Sequence, residues 1–80
     1  MNTSFAKRGT LDIICEILLA SRKPVRKTRI LYKCNLSHDL IQKYLEYLAA
    51  NGLITQFMND EVRYFQITKK GKDLTPPPEL

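Results

Sequence analysis

Ile30-Leu31-Tyr32-Lys33-Cys34-Asn35-Leu36-Ser37 contains the corner on which the architecture of this chain turns. From 28 to 34 the pattern is that of a short helix, with Ile30, Leu31 and Cys34 inward and Arg29, Tyr32 and Lys33 outward. Asn35, Leu36 and Ser37 then break it with a tight polar-apolar-polar turn. Ser37 is a natural N-cap and Asp39 a first-turn acid, so a further helix is predicted over 37–51. Winding that helix at about 100° per residue clusters Leu40, Ile41, Tyr44, Leu45, Leu48 and Ala49. His38, Asp39, Gln42, Lys43 and Glu46 share the opposite face, with Tyr47 at its margin. Gly52 is the expected left-handed residue that ends the helix and turns the chain into Leu53 and Ile54.

Upstream, Thr10 is the predicted cap of a helix over about 11–21, with Asp12 in its first turn and Pro24 beyond its end. Leu11, Ile14, Cys15, Leu18 and Leu19 form its stripe, Ile13 and Ile17 widen it, and only Asp12, Glu16 and Ala20 read as solvated. Pro24 and Val25 suit a short extended piece. Downstream, the β-rich runs 53–58 and 62–67 flank the polar turn Asn59-Asp60-Glu61, an antiparallel hairpin. Thr68 can cap a last short turn before Pro76, Pro77 and Pro78 forbid helix. Residues 1–9 read as a flexible arm, 10–74 as one domain and 75–80 as a proline-rich tail.

Eighty residues hold a single small domain, 44% hydrophobic and 26% charged, with little room for an enclosed catalytic cleft. The net charge of +5 is concentrated in one place. Arg22, Lys23, Arg26, Lys27, Arg29 and Lys33 fall within 22–33 with no acid among them, while the rest of the chain sets 7 cations against 8 acids. Such a block fits an anionic partner better than a uniformly basic composition does. Residues 1–9 lack the apolar core of a secretion signal, and the apolar run 13–20, broken by Glu16, is too short to span a bilayer. A soluble, cytoplasmic chain with reduced cysteines is expected.

The predicted architecture is mostly α with a small β-hairpin: a three-helix bundle plus a two- or three-stranded antiparallel wing, the winged helix-turn-helix plan. The residues themselves carry a family resemblance. Residues 30–37 continued by Ile41, Leu45, Leu48 and Gly52-Leu53-Ile54 resemble the helix-turn-helix signature of winged-helix transcription regulators. Tyr64-Phe65-Gln66-Ile67-Thr68-Lys69-Lys70-Gly71-Lys72 resembles the phrase that closes the wing in those proteins. The run 27–37 with Gln42-Lys43-Tyr44-Leu45 is most similar to small archaeal winged-helix predicted regulators. The resemblance implies double-stranded DNA as partner, with helix 37–51 in the major groove and Arg63 of the wing on the minor groove or backbone. Members of that subgroup often continue into a long dimerising C-terminal helix, which the proline run does not suit. A homodimer would then use the first helix, through Ile13 and Ile17, or the arm with Phe5.

The residue chemistry fits that role. Gln42 can read an adenine edge, His38 and Lys43 can meet guanine acceptors or phosphate, and Arg26, Lys27, Thr28, Arg29 and Lys33 can hold phosphates alongside. Asp39, Glu46 and the acidic wing tip Asn59-Asp60-Glu61 oppose phosphate and leave room for the alternative of a winged-helix protein-protein interaction module. Cys34 and His38 have metal-ligand spacing but are separated by the break at 35–37, and no further ligands accompany them. No nucleophile-base-acid trio or glycine-rich phosphate loop is present, so no enzymatic activity, cofactor or metal is expected.

Overall fold

The computed structural model describes residues 9–75. The expectations for the arm and its Phe5, and for the tail beyond Thr75, lie outside the described residues. In chain order the elements are α1 (Thr10–Ala20), α2 (Lys27–Cys34), α3 (His38–Ala50), β1 (Ile54–Asn59), β2 (Val62–Ile67) and α4 (Lys69–Leu74). This is a winged helix-turn-helix, mostly helical with an antiparallel hairpin.

α1 starts one residue earlier than the expected cap at Thr10: Gly9 is the N-cap, and its N–H donates to the Asp12 carboxylate at 3.2 Å. The first-turn acid captures an N–H that would otherwise lack a partner, so Thr10 enters the helix. Ser21 closes α1 and is wholly buried, its hydroxyl 3.0 Å from the Ile17 carbonyl and 3.1 Å from that of Leu18. The apolar stripe is centred differently from the wheel reading. Ile17 and Leu18 are fully buried, whereas Leu11 is 75% exposed and Leu19 sits at the surface. The fully buried pair lies in the C-terminal half of α1, whereas Leu11 lies in its first turn. With Ile17 at the centre of the core, it has no surface to offer a second subunit, which corrects that part of the dimer expectation.

α2 and α3 end by the same device. Asn35 at φ 57° and Gly52 at φ 73° are left-handed, and each is followed by a buried leucine whose N–H returns to the carbonyl five residues back. The bonds are Leu36 to Leu31 at 3.1 Å and Leu53 to Leu48 at 2.9 Å. Leu36 thereby fills the corner between α2 and α3, and the Ser37 hydroxyl caps α3 by accepting from the Leu40 N–H at 3.2 Å. Ile41, Leu45 and Leu48 dock α3 into a core shared with Ile17, Leu18, Ile30, Ile54, Phe65 and Ile67.

The hairpin pairs Ile54 with Ile67 through Asn59 with Val62, leaving a two-residue turn at Asp60-Glu61. Both are at positive φ, 54° and 66°, the backbone that matches the twist of the flanking strands. The three-residue turn expected from the sequence therefore shortens, because Asn59 joins the ladder. Val25 adds a third, single-residue rung, exchanging both backbone hydrogen bonds with Phe65 at 3.0 and 2.7 Å. The Ile67 N–H donates to the Ser21 carbonyl at 2.8 Å, so β2 is tied to the segment after α1 at two points.

Thr68 locks the end of the wing. Its hydroxyl donates to the Gly52 carbonyl at 2.6 Å and accepts the Gly71 N–H at 3.1 Å, capping α4. Gly71 is buried where a Cβ would overlap the Leu53 carbonyl oxygen and crowd Ile67. Gly71→Ala is expected to destabilise the fold by about 1–3 kcal/mol, because the obstructing atom is backbone and must move with its strand. Chemical denaturation of the two proteins measures it, and equal midpoints would show that α4 does not hold the wing as described.

Candidate nucleic-acid interface

Three elements converge on a groove of about 550 Å3 between α3 and the hairpin. α2 contributes Lys27 from its first residue, α3 contributes Gln42 and Glu46, and the hairpin contributes Gln56, Met58 and Arg63. Alternation along the strands explains the hairpin's share. Gln56 pairs with Phe65 and Met58 with Arg63, so these four lie on one face, the face that meets α3. Phe65 and Leu45 floor the groove and are buried, while its rim is polar.

A chain of hydrogen bonds crosses the helix face. The Lys27 ammonium donates to Gln42 Oε1 at 2.8 Å, and Gln42 Nε2 donates to a Glu46 carboxylate oxygen at 2.9 Å. The glutamine that sequence reasoning singles out for base reading is thus engaged at both ends of its amide. Glu46 follows Gln42 by one helical turn, so this half of the chain is a same-face contact along α3. Lys27 reaches it only because the turn at Asn35 and Leu36 folds α2 across α3. Glu46 and Glu61 stand against Lys27 and Arg63 in the groove, two acids for two cations.

The sequence-predicted residues divide among distinct places. Lys27, Gln42 and Arg63 share the α3–hairpin groove. Arg26, the N-cap of α2, lines a separate cleft with Thr28 and Arg29 on the other side of the hairpin. His38 opens α3 and is exposed, as is Lys33 in the last turn of α2. Lys43 faces the other way, bordering a largely apolar hollow with Ile14, Leu40, Tyr44 and Tyr47 where α3 meets α1. Sequence reading missed Gln56 and Met58, which enter the groove through strand register, and Tyr64, which the same register turns to the opposite face. Strand alternation relative to Arg63 could have separated Tyr64 from the groove, but which face meets α3 has no signature in the sequence. Among the described residues no cluster of His, Cys, Asp and Glu is suited to a metal ion, and no helix is long and apolar enough to cross a membrane.

Fold and groove together define a winged helix-turn-helix protein, and comparison with known proteins agrees. The model of the winged helix-turn-helix family matches residues 7–76, and the chain belongs to that family. It is similar to Uncharacterized protein MJ0287 of Methanocaldococcus jannaschii, with 35% identity over 85% of this chain and 67% of that protein. Among solved structures it is similar to Sso10a-2, a DNA-binding protein from Sulfolobus solfataricus, at 31% identity and a TM-score of 0.79, covering 84% of this chain and 70% of that one. It is also similar to Lactococcus lactis ZitR, solved in complex with DNA, at 25% identity and a TM-score of 0.61, over 80% of this chain and 47% of that one.

Glu46→Ala should release one end of the Gln42 amide at a cost to stability within about 0.5 kcal/mol, since both side chains are exposed. The Gln42 side-chain NH2 resonances in a nitrogen-15 NMR spectrum are expected to move. Unchanged resonances would show that the hydrogen-bonded chain does not form in solution.

Proposed function

We propose that this protein binds double-stranded DNA as a transcriptional regulator, with α3 as the recognition helix and the basic 22–33 segment holding phosphates. The observation that carries this reading is the convergence of Lys27, Gln42 and Arg63, from three separate elements, on the groove beside α3. A major groove about 12 Å wide admits an α-helix, with the adjoining wing and the preceding helix placed to meet the flanking backbone. The DNA-binding relative from Sulfolobus and the DNA complex of ZitR support the same partner. The reading is that of a binding protein, not an enzyme, and it uses no cofactor.

In this mechanism Gln42 exchanges its bonds to Lys27 and Glu46 for the N6 and N7 edge of an adenine, which presents the same donor-acceptor pair. Lys27, released, turns to a phosphate. Glu46 and Glu61 offset the cations of the groove, so general attraction to DNA is weak there, and a matching base edge is needed to complete binding. His38, one helical turn before Gln42, is a further base or phosphate contact; Lys43, turned toward α1, is left a phosphate at the margin of the helix, and Arg63 carries the wing's contact to the backbone. Thr28, Arg29 and Lys33 extend the phosphate contacts along α2. A homodimer belongs to the same reading, through the α1 surface around exposed Leu11 or through the N-terminal arm, and would call for half-sites about 34–36 Å apart.

One observation favours a second reading, a protein-protein interaction module. The groove has no excess of cations, while Leu11, Leu40 and Tyr47 expose apolar surface elsewhere on the helices.

Fluorescence anisotropy with a mixed-sequence duplex across a salt series separates the two. Binding is expected to fall with salt, and Lys27→Gln and Arg63→Gln should each lower the log-log slope by about 0.9, the value of one neutralised phosphate. Replacing Arg26, Lys27, Arg29 and Lys33 together by Gln is expected to abolish duplex binding with the fold intact. Gln42→Ala should narrow the gap between preferred and random duplexes more than it lowers affinity for the random one. No binding of any duplex at low salt would favour the interaction module.

A further inference from the structure

The hairpin has a second face that lines a cleft. β2 directs Arg63 and Phe65 toward α3 and Tyr64 to the opposite side, where its ring meets the beginning of α2 across a cleft of about 370 Å3. Arg26, Thr28, Arg29 and Tyr32 form the other wall. No carboxylate of the described residues lines this cleft, in contrast to the groove against α3, where the charges balance. The cleft is therefore more cationic than the groove beside the recognition helix.

Of its two aromatic rings, one packs within the hairpin and the other has no role in the fold. Tyr32 is 79% exposed on α2 and contributes nothing to the core. Tyr64 is half-buried, and its ring is braced by Phe57, its cross-strand partner, at a centroid separation of 5.9 Å and an interplanar angle of 24°. Neither phenol hydroxyl and neither guanidinium has a hydrogen-bond partner among the described residues. Two guanidinium groups suit a phosphate, and two ring faces beside them suit a flat aromatic group.

A duplex can satisfy only half of this arrangement. Its phosphates can approach Arg26 and Arg29, but its bases are stacked inside the helix and present no free face to a phenol. A nucleotide with an unpaired base supplies both parts, and aromatic side chains beside a positively charged track are the usual means of holding one. The cleft is also within the size range of small-ligand sites.

We propose that the cleft between α2 and the outer face of the hairpin binds a nucleotide with an unpaired base, the base against Tyr32 and Tyr64 and the phosphate on Arg26 and Arg29. The same chemistry is offered by a free nucleotide and by an unpaired stretch of a nucleic-acid strand. The proposal rests beside the duplex-binding reading: Arg26 and Arg29 also serve duplex phosphates there, whereas Tyr32 has no part in it, so a change at Tyr32 separates failure of this site from failure of duplex binding.

Isothermal titration calorimetry of the full chain tests this with AMP, an octathymidylate single strand, inorganic phosphate and a blunt duplex. AMP or the single strand is expected to bind, and Tyr32→Ala should weaken that binding by about tenfold while leaving duplex affinity within about twofold. Arg29→Gln should weaken it as well, and Arg63→Gln should not. Tighter binding of the strand than of AMP would assign the site to nucleic acid, and equal binding would assign it to free nucleotide. Tyr32 is exposed, so the variant should melt like the parent by circular dichroism; Tyr64→Leu supplies the same comparison if it does not. Failure of both AMP and the single strand to bind overturns the proposal. So does phosphate binding as tightly as AMP, or a Tyr32→Ala protein that binds both probes unchanged.

Discussion

β2 is held to the segment that follows α1 by three backbone hydrogen bonds, one from Ile67 to Ser21 and two exchanged between Val25 and Phe65, and the two candidate sites depend on that attachment. A two-stranded hairpin has little stability alone in water. These bonds, with Phe65 and Ile67 buried beneath them, make the wing an extension of the helical core. They also set which way each strand residue points. A slip of one residue would exchange the two faces of β2, carrying Arg63 to the α2 side and Tyr64 into the groove beside α3. The complete burial of Ser21 follows from the same attachment: its carbonyl anchors the strand, and its hydroxyl is satisfied by the carbonyls at the end of its own helix.

The attachment partitions the charge of the molecule. The cations of 22–33 leave α1 and wrap around the start of α2, so neighbours in sequence reach different surfaces. Lys27 turns toward α3, while Arg26 and Arg29 turn toward the outer face of the hairpin. One surface is cationic and aromatic. The other is electrostatically balanced and crossed by the Lys27, Gln42, Glu46 chain. A charge run that reads as one feature in sequence is two features in space.

Periodicity carried most of the fold. Ile30, Cys34 and Leu36 around the turn, Ile41, Leu45 and Leu48 along α3, and Gly52 at its end all stand where the pattern puts them, because local backbone preference and burial agree there. The errors lie where the pattern is saturated. α1 is apolar on most of its circumference, so a wheel cannot tell that Ile17 and Leu18 are the core and Leu11 is outside it. The wing turn reads as three residues in the sequence, one too many, because Asn59 is as good a turn former as a strand end, and only pairing with Val62 decides between them. Lys27 and Gln42 stand fifteen residues apart and their contact has no local signature.

The order of elements, the corner at Asn35 and Leu36, and the concentration of cations in 22–33 were legible in the chain alone, since each follows from short-range preference or plain composition. Three features took their form from packing in three dimensions: the strand face that meets α3, the pair of arginines that shares a cleft with Tyr32 and Tyr64, and the prior engagement of Gln42. They depend on register and on the crossing of α2 over α3, and both are set by burial between residues distant in the chain.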